Sequence, residues 1–364
     1  MDGAHTPCLK LALVFEEKTA YLHDGYSEEQ CAALTHDGEI QAVRDSLERL
    51  GHHVTPVPGI RSLVKLLAAG DYRHWDLVFN MAQGFHGSAR EAQVPALLEA
   101  YQIPYTFSDA ETMTLCQNKA VTKMILDRYM VPNAPFTVIR SQAEEADLPE
   151  LVTELPTYPL FIKPVIEGSS KGIADSNKIK NEEDLIPAAQ KLASRFPGQD
   201  ILVESFLPGR EFTVSILGTG PHCRVIGIRE HIYQASTDHR KNGSYINPSL
   251  DFACSESKSS TAGKMLMFND SHDMSDPHIK AVCEVALDAW KVFNCRDSGR
   301  VDIRFDSEKP GSTPNVLEVN PIAGLLPEHS PLPASAKLNG LSFDDLLTEI
   351  IKSALRRSGK DNTK

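Results

Sequence analysis

Three short apolar runs near the start, LKLALVF (9–15), HVTPV (53–57) and WDLVFNM (75–81), restrict the fold more than any other feature. Between the first two, Ile40, Val43, Leu47 and Leu50 recur at helical spacing, and Gly51 stands where a glycine closes a helix. Strand, helix and strand in direct succession require a crossover. Roughly the first 110 residues are therefore expected to form an open, largely parallel sheet. A helix over REAQVPALLEAYQ (90–102) is stopped by Pro104.

Beyond residue 118 the pattern changes. A helix around 119–129 leads to Pro132 and Pro135, a hinge into a second segment. FTVI (136–139), PLFIKPV (159–165), ILVESF (201–206) and EFTVSILG (211–218) read as strands, with one helix near 181–195 among them. CRVIGIRE (223–230) opens a third segment. Residues 233–276 are rich in Ser, Asp, Asn and Lys without periodicity, which marks a functional lid or disorder. A helix at 277–294 and the strands GRVDIRFD (299–306) and NVLEVN (315–320) restore order. Ser342 and Asp345 make a capping-box start for a closing helix with Leu346, Leu347, Ile350 and Ile351 on its apolar face.

A chain of 364 residues, 41% apolar and 24% charged, has material for two or three ordinary globular domains. Its net charge of −12 argues against nucleic-acid or anionic-membrane partners, while leaving room for a local basic pocket. The seven cysteines are scattered without metal-type pairing, as free thiols in a reducing compartment would be. The run at 11–15 is too short for a signal segment and is followed by Glu16 and Glu17. No stretch is long and apolar enough to span a bilayer. The expected location is cytoplasmic. His52, His53, His231 and His239 lack ligand spacing and read as surface residues.

The two C-terminal strands carry the most chemistry. In GRVDIRFD, Val301, Ile303 and Phe305 alternate with Arg300, Asp302 and Arg304; in NVLEVN, Leu317 and Val319 share one face, Glu318 and Asn320 the other. If the strands pair across 307–314, Asp302 lies level with Glu318 and Asn320. These hard oxygen donors suit Mg²⁺ bound with phosphates; the competing reading is a half-exposed hairpin with surface charges. Upstream, FIKPVIEGSSKG (161–172) sets Lys163 on a strand before a loop of Gly168, Ser169, Ser170 and Gly172, fit for phosphate approach though not a P-loop. Glu204 and Glu211 flank the turn at Pro208–Gly209, where carboxylates could meet an adenine amine and a ribose hydroxyl or merely be solvated.

In this order NK (118–119), IKP…EGSSKG (162–172), VESFLPGREFTV (203–214), GRVDIRFD (299–306) and LEVNPIAGL (317–325) resemble the D-alanine–D-alanine ligases of the ATP-grasp superfamily. The likeness extends to FNMAQGFHGSAREAQVPALLEAYQIPYTFSD (79–109) and is weak over 231–276. It implies an α/β and α+β chain in three domains: an N-terminal substrate domain (1–118), a central ATP-grasp domain (119–218) and a C-terminal ATP-grasp domain (219–364). ATP would lie between the last two under a lid at about 231–276.

Carried over by position, Lys119, Lys163 and Ser170 would bind the ATP phosphates. Glu204 would meet adenine with the backbone of Ser205 and Leu207, and Glu211 the ribose. Asp302, Glu318 and Asn320 would hold two Mg²⁺ ions, Mn²⁺ being an alternative. Arg300 and the Gly324 N–H would stabilise the oxyanion, and Ser330 would receive the acceptor's carboxylate. The implied reaction is ADP-forming amide synthesis through an acyl phosphate from small carboxylate and amine substrates, amino acids in the first instance. A homodimer is among the assemblies implied; a non-catalytic ATP-binding protein is the competing reading.

The start of the chain departs from the family. Glu16–Glu17 replaces a strand-end glycine pair, and Tyr21 falls where a glutamate meets the first substrate's ammonium. Glu16 or Glu17 could supply that charge or be solvated. Ser169 matches a serine that works with that glutamate and a lid tyrosine, here Tyr233 or Tyr245. A larger wall at Tyr21 points to a first substrate other than free D-alanine.

Overall fold

The computed structural model describes residues 8–141, 156–234, 252 and 265–359. The parallel sheet expected at the start is present. β1 (Lys10–Phe15), α1 (Lys18–His23), α2 (Asp37–Arg49), β2 (His53–Pro58), α3 (Gly59–Ala69) and β3 (Leu77–Asn80) follow in turn, and the strands align parallel in the order β2-β1-β3. Gly51 adopts φ +88° just after α2, the left-handed turn foreseen for it. No residue of α1 is buried, so no periodicity announces that helix. The helix expected at 90–102 is a short 3₁₀ turn, Arg90–Ala92, continued by α4 (Gln93–Ala100). α5 (Ala110–Gln117) and α6 (Lys119–Arg128) complete the segment.

β4 (Phe136–Ile139), β5 (Leu160–Pro164), β6 (Lys178–Ile179), α7 (Glu182–Arg195) and β7 (Ile201–Ser205) build an antiparallel sheet in the order β4-β7-β5-β6. Leu185, Ala189 and Leu192 of α7 close its core against Leu160, Ile162 and Val203. β8 (Glu211–Leu217), grouped with this segment by the sequence, instead joins the next sheet. It lies between β9 (Arg224–Gln234) and β11 (Ser298–Phe305), with β10 (Met265–Asn269) and β12 (Pro314–Asn320) at the edges. α8 (Pro277–Val292) covers that sheet with Val282, Ala286 and Trp290. Residues 235–251 and 253–264 of the expected lid, with Tyr245 and His239, lie outside the described residues.

α9 (Pro331–Leu338) and α10 (Phe343–Arg357) return to the first sheet. Leu346, Leu347, Ile350 and Ile351 of α10 are fully buried in one core with Leu11, Leu13, Val43 and Leu47. Ser342 and Asp345 form the capping box foreseen at its start. Among the described residues no helix is long and apolar enough to cross a membrane, and the described cysteines are free thiols.

Candidate active site

The β11–β12 register is Arg300 opposite Asn320 and Asp302 opposite Glu318, as the alternation required. A bulge then shifts the pairing, so Ile303 faces Val316 and Leu317 is the extra residue. Leu317 therefore leaves the core face expected for it and lines a cavity beside Glu318, while Val316 and Val319 fill the core. Asp302 accepts from Thr213 Oγ1 at 2.7 Å and from Asn320 Nδ2 at 3.2 Å.

That cavity, about 390 Å³, lies between β5 and β7 on one side and β8, β9, β11 and β12 on the other. Lys163, Ser170, Glu204, Ser205, Leu207, Glu211 and Asp302 line it. A second cavity of about 230 Å³ adjoins it and is lined by Asn320, Gly324 and the 32–35 segment. Lys119, Ser169, Arg300 and Glu318 line both.

Local sequence explains the placement. Asn118 caps α6 by accepting from Val121 N, and the Lys119 amide donates to Val165 O at the end of β5. Lys119 is thereby fixed at the junction of the cavities, its Nζ 3.0 Å from Glu318 Oε1. Burial would raise the Glu318 carboxyl, but Lys119, then Arg300 and Lys163, hold it below the ordinary range. In the 168–172 loop, Ser169 and Ser170 take φ +53° and +61°, left-handed values that strain any residue but glycine. Gly172, at φ +77°, admits no side chain, because a Cβ would come within 2.7 Å of Phe196 and 2.8 Å of Pro164.

Glu204 is almost fully buried, with Lys163 Nζ 2.6 Å from one oxygen and Lys123 Nζ 2.8 Å from the other. Burial works against its charge, yet the two ammonium groups win and hold the carboxyl at about 2. Glu211 is held by Arg304 at 2.9 Å, whose guanidinium lies 5.0 Å from the centre of the Phe206 ring. His231 is no surface residue; it lines the first cavity and contacts Thr213 Oγ1 at 3.0 Å. His52 is buried as well, its Nδ1 accepting from Leu9 N.

The strand-end group is placed elsewhere. Glu16 is buried and accepts from Gln83 N and Gly84 N; Glu17 is exposed; Tyr21 packs on Phe85 at 4.5 Å between ring centres. None of the three lines either cavity, so the aromatic wall expected at Tyr21 is absent there and Ala32, Ala33, Leu34 and Thr35 form the wall. Two other carboxyls stand in the second cavity. Glu39 accepts from Leu325 N at 2.6 Å, and burial raises its carboxyl. Burial lifts Glu91 to about 7, against the pull of Arg90. Ser330 lines neither cavity but adjoins the second, its Oγ 2.9 Å from where a Gly324 Cβ would stand. Tyr233 packs with Phe206 and Phe252. Lys123 was missed from the sequence, although it sits one turn after Lys119 on the same helix face.

The sequence profile described as "D-ala D-ala ligase C-terminus" matches residues 125–352, more than half of the chain. The chain belongs to the D-alanine–D-alanine ligase family. It is accordingly an ATP-dependent, ADP-forming ligase. It is 28% identical over 342 residues to the D-alanine–D-alanine ligase of Xanthomonas axonopodis pv. citri (strain 306), covering 93% of this chain and 95% of the relative. Its fold is that of the D-alanine–D-alanine ligase of Bacillus anthracis complexed with ATP: TM-score 0.70, 20% identity, covering 98% of this chain and 100% of the other. The D-Ala:D-Ser ligase VanG of Enterococcus faecalis aligns similarly, with TM-score 0.69, 21% identity and coverage of 96% and 100%. These family members share the ATP-grasp fold.

Proposed function

We propose that this ligase uses ATP to convert a small carboxylic acid to its acyl phosphate and joins it to an amine, with Mg²⁺ held by Asp302, Glu318 and Asn320. One observation carries the reading: Lys119, Arg300 and Glu318 line both cavities, so a phosphoryl group held in the first can meet a carboxylate in the second. The second cavity, about 230 Å³, has room for reactants of amino-acid size.

Lys163 and Lys119 orient the phosphates, and the backbone N–H groups of the loop at 168–171, which lines the first cavity, add partial positive charge. Both oxygens of Glu204 face ammonium groups, so it fixes Lys163. Adenine recognition rests on the backbone of Ser205 and Leu207 and the side chain of Leu317, with Glu211 at the ribose. Arg300, whose buried Nε has no hydrogen-bond partner among the described residues, and the Gly324 N–H take the oxyanion charge as the amine attacks. Ser330 takes the acceptor's polar end.

The metal assignment rests on donor chemistry. Two carboxylates and an amide on neighbouring strands are hard oxygen donors and leave positions for phosphate oxygens. When bound, Mg²⁺ would neutralise charge on the transferring phosphoryl group. The test is a phosphate-release screen over D- and L-amino acids, singly and in pairs, with ATP and Mg²⁺. Release above the ATP-only background with a particular pair is expected; no stimulation by any carboxylate would overturn the reading.

A further inference from the structure

The second cavity contains a carboxylate with no ion-pair partner among the described residues. Its cations are matched: Arg90 lies 3.5 Å from Glu167, Lys119 3.0 Å from Glu318, and Arg300 3.6 Å from Asp302. Glu39, in the first turn of α2, has no ion pair among the described residues and only the Leu325 N–H as a hydrogen-bond partner. Its Oε1 lies 4.0 Å from where a Cβ on Gly324 would stand, next to the N–H assigned to the oxyanion. Gln117, which also lines this cavity, is buried with its Nε2 donor unpaired among the described residues, a second group available to a reactant. Glu16, Glu17 and Tyr21 do not reach this space.

We propose that Glu39 receives the ammonium of the acceptor and removes its proton as the amide bond forms. The inference rests on the ligase reading given above. The acceptor's R–NH₃⁺ gives one proton to the Glu39 carboxylate, and the freed lone pair forms the C–N bond at the acyl carbon. The bond from that carbon to the phosphate oxygen breaks, and its electron pair leaves on phosphate. The departing phosphate takes the second nitrogen proton, leaving a neutral amide, and Glu39 returns its proton to water as product leaves. Burial raises the carboxyl, which favours its service as a base over permanent ionisation. A carboxylate here also disfavours a second negative charge beside it, so acceptors with a neutral or cationic far end should outperform those with a free carboxylate.

Hydroxylamine separates the two half-reactions, because it is a neutral nucleophile that traps an acyl phosphate as a hydroxamate without a base. Wild-type protein and Glu39→Gln are compared with ATP, Mg²⁺ and the best carboxylate, with either the amine or hydroxylamine as acceptor. Gln can still accept the Leu325 N–H, so the fold is kept. Glu39→Gln should form hydroxamate within about twofold of wild type and lose about a hundredfold in amide formation, the lower range for a general base. Equal loss with both acceptors would make Glu39 merely structural and overturn the inference, as would unchanged amide formation, or a selective amide loss in Glu91→Gln instead. No hydroxamate from wild type with any carboxylate would overturn the ligase reading, and this one with it.

Discussion

At the scale of single residues, Glu204 governs the order of the nucleotide end. Its carboxyl, at about 2 in the folded chain against an ordinary 4.5, is depressed by Lys123 and Lys163 after opposing burial. The stability it contributes is therefore complete above about pH 4.5 and is lost as pH falls toward 2. Glu204→Gln should cost about 3–5 kcal/mol near neutrality, because it leaves Lys123 buried without its partner. Urea midpoints should show the gap from wild type narrowing between pH 4.5 and 3; a constant gap would contradict the ion triad. The metal-facing residues behave differently. Glu318→Gln and Asp302→Asn should leave the fold intact and lower turnover about a hundredfold or more, and wild-type turnover in both would exclude the metal assignment. Lys163→Ala should weaken ATP use far more than Lys191→Ala on the exposed side of α7. Asp302, Glu318 and Asn320 were legible because a two-residue period puts them on one face. Glu39 was not: its partner Leu325 is 286 positions away, and no local pattern joins them.

Among elements, β12 shows where periodicity fails. The alternation places Leu317 with Val319, but the bulge between the Asp302 and Ile303 pairings turns Leu317 to the cavity. A bulge adds a residue without marking the sequence, so strict alternation could not foresee it. Two substitutions separate the faces. Val319→Ala, in the core, should cost about 2 kcal/mol of stability with little change in KM for ATP. Leu317→Ala should do the reverse, raising KM for ATP several-fold with a small change in Tm; the opposite pattern would restore Leu317 to the core. β8 was misgrouped for a related reason. Its own alternation says strand, but its sheet is decided by the hairpin it makes with β9 and by the distant strand β11, and neither pairing is marked within β8.

Across the whole molecule, the first and last segments share one core while the central sheet has its own. Ile350 and Leu347 of α10 pack with Leu11, Leu13 and Leu47, and Arg49 and Ser46 of α2 bond Asp344 at 2.5 and 2.6 Å. Leu185 belongs to a separate cluster around β5 and β7. The sequence made both faces readable, the apolar stripe of α10 and the strands of the first sheet. It could not say that they meet, because some 300 residues lie between them. This junction also sets α2, and with it Glu39, against the second cavity. Ile350→Ala should cost about 2–5 kcal/mol through the buried void it leaves. Hydrogen exchange should then accelerate together in β1, α2 and α10, since these elements lose one core. Leu185→Ala should cost a similar amount but release amides only in β4 to β7 and α7, because its cluster does not include the first sheet. The first variant should also lower amide formation by displacing Glu39, whereas the second should chiefly weaken ATP use. Fraying confined to α10 in Ile350→Ala, with β1 and α2 still protected, would show that the two ends of the chain are packed but not stabilised as one unit.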